Sequence, residues 1–268
     1  MSPSQTEHAG LHVRRWRDQR RRSQLDVAVS ADISTRHLSY IETGRSTPSR
    51  KMIERICDEL DVPLRDRNQM YLAAGLAPAH SERPLDDLAD ARLAVEALLR
   101  GHEPNPSAAV NTQWDLVAAN DAMRRFLADL APELVGPPLN MMRATLHPDG
   151  LAPQIRNRAQ WREVALRRVR RQLDRVADPA LAALLEELES YPAPPATADD
   201  RATGAHDVIT PLVLATPFGD LSFLYAVTVL GAPRDITLDE IAIETFFPAD
   251  AATRAALSAM AGERGDIP

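Results

Sequence analysis

The sequence predicts an all-α N-terminal domain of five helices, followed by an α+β C-terminal domain with an antiparallel sheet. Three observations predict it. Residues 23–50 hold two short helical patterns with caps, a turn and a stop in register. Residues 208–247 change to the period-two alternation of strands. The charge divides the same way: residues 1–80 carry 13 basic and 10 acidic side chains, the remainder 18 and 28.

The first ten residues, MSPSQTEHAG, read as a disordered tail without the apolar core of a signal peptide. A first helix covers residues 11–22, with Leu11 and Trp16 toward the core. Arg14, Arg15, Arg20, Arg21 and Arg22 face outward, either toward phosphates or simply into solvent. Ser23 is a good N-cap for a second helix, whose apolar face is Leu25, Val27, Ala28 and Val29. The chain breaks at Ala31-Asp32-Ile33. Ser34 caps a third helix running to Thr43, with Leu38 and Ile41 inward, and Gly44 ends it.

Two short helices joined by such a turn form a helix-turn-helix. Ala28 lets them approach closely and Ile33 fills the space between them. The outer face of the second is then Thr35, Arg36, His37, Ser39 and Tyr40, with Ser34 at its start as a further DNA-binding candidate, groups of the kind that read base edges in a major groove. Residues 11–51 hold 10 basic against 4 acidic side chains, a local positive patch suited to a polyanion. A fourth helix covers 49–60, with Ile53, Ile56, Cys57 and Leu60 inward, and a fifth covers 64–74.

Residues 76–84 read as a linker, and 84–100 as a connecting helix with Leu88, Val95, Leu98 and Leu99 apolar. The domain boundaries expected are 11–76 for the DNA-binding domain, 77–103 for linker and connecting helix, and 104–268 for the C-terminal domain. Within the latter, 108–118 reads as one strand around Val110, Trp114, Leu116 and Val117. Asn120 caps a helix to residue 130. Helices follow at 139–145, 153–177 and 179–190. Residues 191–206 are a Pro/Ala/Asp-rich loop. Strands follow at 208–215, 221–230 and 239–247. Along the second of these, Leu221, Phe223, Tyr225, Val227 and Val229 share a face. Asp250 caps a last helix.

The phrase ISTRHLSYIETGRSTPS resembles the DNA-binding domain of Xre-type regulators, in the branch whose C-terminal domain is similar to that of MmyB. The resemblance implies that Gln24 and Arg45 grip phosphates. It implies that Thr35 and Arg36 contact bases, and that Tyr40 contacts a base or the sugar-phosphate chain. It also implies that Arg17 and Glu42 form a buried ion pair. Asp32 departs from the Gly usual there, at a left-handed position that Asp tolerates at small cost. The segments PNPSAAVNTQWDLVAANDA, HPDGLAPQIRNRAQWREVA and IAIETFFPADAATRAAL resemble the MmyB-like ligand-binding domain, which implies a PAS-like fold and a fatty-acid-like ligand.

An apolar set, Trp114, Met123, Phe126, Met141, Met142, Trp161, Phe223 and Tyr225, fits a lipid-accepting cavity and equally a dry core. Arg143, His147 and Arg156 could each meet a carboxylate. Glu186, Glu187 and Glu189 read as a solvated face. No Gly-rich phosphate loop and no His or Cys spacing for a metal is present, so neither an enzyme nor a metal site is expected. The single Cys57 and the absence of a long apolar run fit a cytoplasmic protein. The function expected is a bacterial transcription regulator. It binds double-stranded operator DNA as a homodimer and a small hydrophobic ligand in its C-terminal domain. It needs no cofactor and no membrane. The alternative is a C-terminal domain that serves dimerisation or protein interaction without a ligand.

Overall fold

The structure is a computed structural model and describes residues 8–176, 178–193, 209–231 and 233–262. The described residues form two compact units, one within residues 8–87 and 231–239, the other within 88–230 and 240–262. The expected boundaries assigned 231–239 to the C-terminal domain; the structure packs this segment into the first unit.

The first unit holds α1 (Ala9–Gln19), α2 (Gln24–Ser30), α3 (Thr35–Glu42), α4 (Arg50–Leu60) and α5 (Leu64–Ala73). Its core is Val13, Trp16, Val27, Ala28, Leu38 and Ile41 from the first three helices, with Ile53, Ile56, Cys57, Leu60, Met70 and Tyr71 from the last two. Burial pushes the Cys57 thiol up to about 12, so it stays a protonated core group.

Three readings of this unit need correction. The helix begins at Ala9 inside the expected tail, and its inward residues are Val13 and Trp16, while Leu11 is exposed. On α2 only Val27 and Ala28 are buried; Leu25 and Val29 face solvent, because a seven-residue helix has room for one inward stripe. Arg20 does not simply face outward. Its Nε donates to the Leu60 carbonyl at 2.8 Å and a terminal nitrogen to the Asp61 carbonyl at 2.7 Å, satisfying the open C-terminal carbonyls of α4.

Gly10 sets how close α1 comes to α3. A Cβ placed on it would lie 1.8 Å from the Ile41 carbonyl oxygen. The backbones therefore touch here, as only glycine permits.

The second unit holds α6 (Ala89–Gly101), β1 (Ser107–Val110), β2 (Leu116–Ala119), α7 (Asp121–Leu127), α8 (Pro132–Val135), α9 (Met141–Leu146), α10 (Arg158–Val176) and α11 (Pro179–Ser190). There follow β3 (Leu212–Thr216), β4 (Gly219–Val229), the short α12 (Ile236–Asp239, part of the first unit), β5 (Ala242–Pro248) and α13 (Ala251–Gly262). The five strands form one antiparallel sheet in the order β2-β1-β5-β4-β3. The unit is thus α+β, as its strand alternation and helical periods require.

The expected single strand at 108–118 is a hairpin, β1 and β2. The Asn111 side chain accepts the N–H groups of Gln113 and Asp115, both at 2.9 Å, and turns the chain; Trp114 then adopts φ 63°. The expected helix at 153–177 starts only at Arg158. Before it, Asn157 donates to the Pro211 carbonyl at 2.7 Å and accepts the Val213 N–H at 3.1 Å, pinning the chain beside β3. The inward face of β4 is shorter than expected: Leu221 and Phe223 are buried, Val227 and Val229 exposed. Leu98 on α6 is likewise exposed, while Val95 and Leu99 are buried. The last strand begins at Ala242, since 236–239 is helical. The predicted strand at 208–215 is observed from Leu212, and residues 194–208 of the expected loop and strand start lie outside the described residues.

Asn120 does more than cap. Its Oδ1 accepts the Met123 N–H at 3.0 Å and the Ser107 N–H at 2.9 Å, and its Nδ2 donates to the Asn105 carbonyl at 2.8 Å. Replacing it with alanine orphans buried groups at the β1–α7 junction and is expected to cost about 2 kcal/mol, read from a urea titration of the full chain.

Candidate functional site

The α2–α3 pair is locked by its own side chains. Ser23 and Asp26 form a reciprocal capping box on α2, and Ser34 caps α3 by accepting the His37 N–H at 3.1 Å. Hydrogen bonds from the Ser23 hydroxyl and backbone hold the Asp26 carboxyl below its ordinary value. The turn passes through Asp32 at φ 54°, and the Ile33 N–H reaches the Ala28 carbonyl at 2.9 Å.

The structure brings Arg17 and Glu42 together. Arg17 Nε donates to Glu42 Oε1 at 2.6 Å, and a terminal nitrogen to Oε2 at 3.1 Å. Gln24 Nε2 joins them, donating to Oε2 at 2.7 Å. Glu42 is buried at the end of α3. The hydrogen bond to Glu42 raises the Arg17 pKa, outweighing burial. One carboxylate thus ties α1 and the start of α2 to the end of α3. The Gln24 amide is turned inward in this arrangement, toward Glu42.

Outside this lock lies a compact polar array. Arg36 Nε donates to the Tyr40 hydroxyl at 2.9 Å, and its guanidinium stands 5.3 Å from the Tyr40 ring centre. The Arg45 guanidinium stands 5.9 Å from the same ring. Arg36 and Arg45 are exposed, as is Ser34; Thr35, His37, Ser39 and Tyr40 are half-buried. Two cations held around one aromatic ring on a capped helix can meet phosphates and base edges together.

In the second unit the predicted ligand residues fall into two clusters. Trp114, Met123, Met141 and Met142 lie in one; Trp161 and Phe223 lie in the other, with Phe126 and Tyr225 packed against it. Phe246 touches both clusters, and its ring centre is 5.4 Å from that of Tyr225. A cavity of about 370 Å³ opens elsewhere, between Phe126, Arg125, Gln154, Phe218 and Met260. Of the predicted ligand residues only Phe126 reaches it.

Where the clusters meet, the sheet carries a charge. Glu244, buried on β5, accepts from Trp114 Nε1 at 3.2 Å and from the Tyr225 hydroxyl at 2.8 Å. Arg168 on α10 donates to both Glu244 and the Tyr225 hydroxyl, and its guanidinium lies 4.1 Å from the Tyr225 ring centre. Burial, then the Glu244 charge, hold the Tyr225 phenol well above its usual range, so it stays a donor. The sequence reading missed Arg168 and Glu244. Two signals pointed to them. Glu244 alternates with Ala242 and Phe246 on one face of its strand, and Arg168 follows Trp161 and Ala165 at helical spacing.

The other basic candidates are committed elsewhere. Arg143 pairs with Glu187 at 2.7 Å and Arg156 with Asp220 at 3.0 Å. The ring of His147 packs on Tyr191. Glu187 therefore belongs to an ion pair rather than to a solvated face. Among the described residues no group of three His, Cys, Asp or Glu is placed to hold a metal ion, and no helix is long and apolar enough to cross a membrane.

A family model for the MmyB-like transcription regulator ligand binding domain matches residues 91–260, and one for a helix-turn-helix domain matches residues 8–70. No curated protein matches the chain. The capped helix pair with its cationic array lies within the second of these matches, and the Arg168–Glu244 core within the first. The chain belongs to the MmyB-like transcription regulator family: it is a regulator with a DNA-binding helix-turn-helix domain and a C-terminal ligand-binding domain.

Proposed function

We propose that this regulator works in the bacterial cytoplasm, binds its operator as a homodimer and is controlled by a fatty-acid-like ligand in the second unit. The DNA-binding half rests on the Arg36–Tyr40–Arg45 array outside the buried Arg17–Glu42–Gln24 lock. Half-sites about one helical turn apart, roughly 34–36 Å, suit such a dimer. The ligand half is supported by Arg168, a cation beside the Trp114 and Tyr225 rings. That combination suits a molecule with an apolar body and an acidic head.

Native mass spectrometry of the full chain with dodecanoate and with dodecan-1-ol tests the ligand reading. Binding of the acid in preference to the alcohol, lost in Arg168→Met, is the expected result. Binding of neither sinks it and leaves the second reading, a dimerisation or protein-interaction domain. That, of the predicted ligand residues, only Phe126 lines the cavity of about 370 Å³ favours that second reading.

Arg36→Ala is expected to relax discrimination at one base pair by about 1–3 kcal/mol, measured as the operator-to-scrambled affinity ratio. Arg45→Ala should weaken all sequences alike and reduce the salt dependence. An unchanged ratio in Arg36→Ala would remove Arg36 from the groove.

A further inference from the structure

Strands β4 and β5 are paired from Phe223 opposite Pro248 to Val229 opposite Ala242. The chain between them does not make a simple hairpin turn. The described residues of 231–239 are built into the helix-turn-helix unit. Asp235 is buried there. It accepts from the Ser81 hydroxyl at 2.7 Å, from Arg83 Nε at 3.3 Å and from the Thr237 N–H at 3.0 Å. The Ile236 N–H donates to the Ser81 carbonyl at 2.8 Å, and the Ile236 side chain is buried. The Thr237 hydroxyl donates to the Arg83 carbonyl at 2.7 Å. Asp239 accepts the Leu64 N–H at 3.1 Å.

That last bond has a particular role. Leu64 opens α5, and the residue before it, Pro63, supplies no side-chain cap. Asp239 satisfies an N–H that the helix leaves open and places a negative charge at its positive end. In turn α5 sends Met70 and Tyr71 into the core shared with α3 and α4. The segment is therefore fastened to the helical unit by both of its carboxylates and by backbone bonds.

Its two ends are the strands that carry Tyr225 and Glu244, joined to each other and to Arg168. A ligand head that draws Arg168 or Tyr225 away from Glu244 acts on these two strands, and the chain continues from both into residues 231–239. We infer that residues 231–239 are a strap through which the state of the Arg168–Tyr225–Glu244 core is passed, by chain continuity, to the N-terminus of α5. This inference rests on the ligand reading above.

Amide hydrogen exchange on the full chain tests it, with dodecanoate binding followed in the same samples by native mass spectrometry. Dodecanoate should change exchange at the Leu64 and Ile236 amides about tenfold, ~1.4 kcal/mol of local opening. In Asp239→Ala, and more fully in Asp235→Ala/Asp239→Ala, dodecanoate should still bind while its effect on α5 is lost. If it binds but leaves both amides unchanged, or changes α5 equally in the variants, the strap does not transmit. If dodecanoate does not bind, the ligand reading fails, and Tyr225→Phe tests the strap without it. Loss of the Tyr225–Glu244 bond should speed Leu64 exchange, and an unchanged rate overturns the inference.

Discussion

Replacing Gly10 with alanine is expected to unfold the helix-turn-helix unit or to cost it more than about 3 kcal/mol. The added methyl would sit 1.8 Å from the Ile41 carbonyl oxygen and 2.9 Å from the Glu42 Cα. A Cβ has no rotamer to escape by, and both neighbours are backbone. The clash falls where α3 carries Glu42, so α1 and the Arg17 pair must separate with it. DNA of any sequence should then bind weakly, while the second unit keeps its own unfolding transition. The matched control is Gly101→Ala at the end of α6, where an added Cβ meets nothing within 4 Å. Circular dichroism through a urea titration compares the two. An unchanged first transition in Gly10→Ala would mean that α1 can slide on α3.

Arg168→Met is expected to destabilise the second unit by about 3 kcal/mol, because it strands Glu244 without its cation. The Glu244 side chain is 5% exposed and that of Arg168 20%, which places the loss at the lower end for buried pairs. Trp114 and Tyr225 would still donate to Glu244, but neither carries charge. The double variant Arg168→Met/Glu244→Gln should recover most of the loss, since no buried charge remains and the amide oxygen still accepts from Trp114 and Tyr225. Chemical denaturation of wild type, both single variants and the double variant gives the coupling directly. A coupling near zero would mean that the pair is solvated.

These two sites also show what the sequence could and could not reveal. The helix-turn-helix was legible because its determinants are local. Ser34, Leu38, Ile41 and Gly44 act on residues within a turn or two of themselves. The strand alternation of β4 was legible for the same reason, though how far the helices cover it was not. Gly10 looked like part of a tail, since its importance lies in the approach of Ile41, thirty-one residues away. The hairpin at Asn111 hid inside an apolar run because one side-chain turn outweighed the strand propensity around it. Arg168 was one arginine among many on a long helix; only Glu244, an acid on an inward strand position, made it distinct. Arg17 and Glu42 were placed by resemblance, as no spacing argument joins residues on separate helices.

The order of the sheet has a consequence for how the protein is made. Strand β1 is flanked by β2 and β5, and Val110 lies opposite Ala242, more than 130 residues later in the chain. At ordinary elongation rates β1 waits on the order of ten seconds for its partner. During that time the five helices can bury their shared core, which lies within residues 13–76, before Asp239 reaches the Leu64 N–H. A nascent chain therefore carries a folded reading head long before its sheet can close. A chain released early, lacking β5 and the strap, would retain the surface that grips DNA without the part that answers to a ligand.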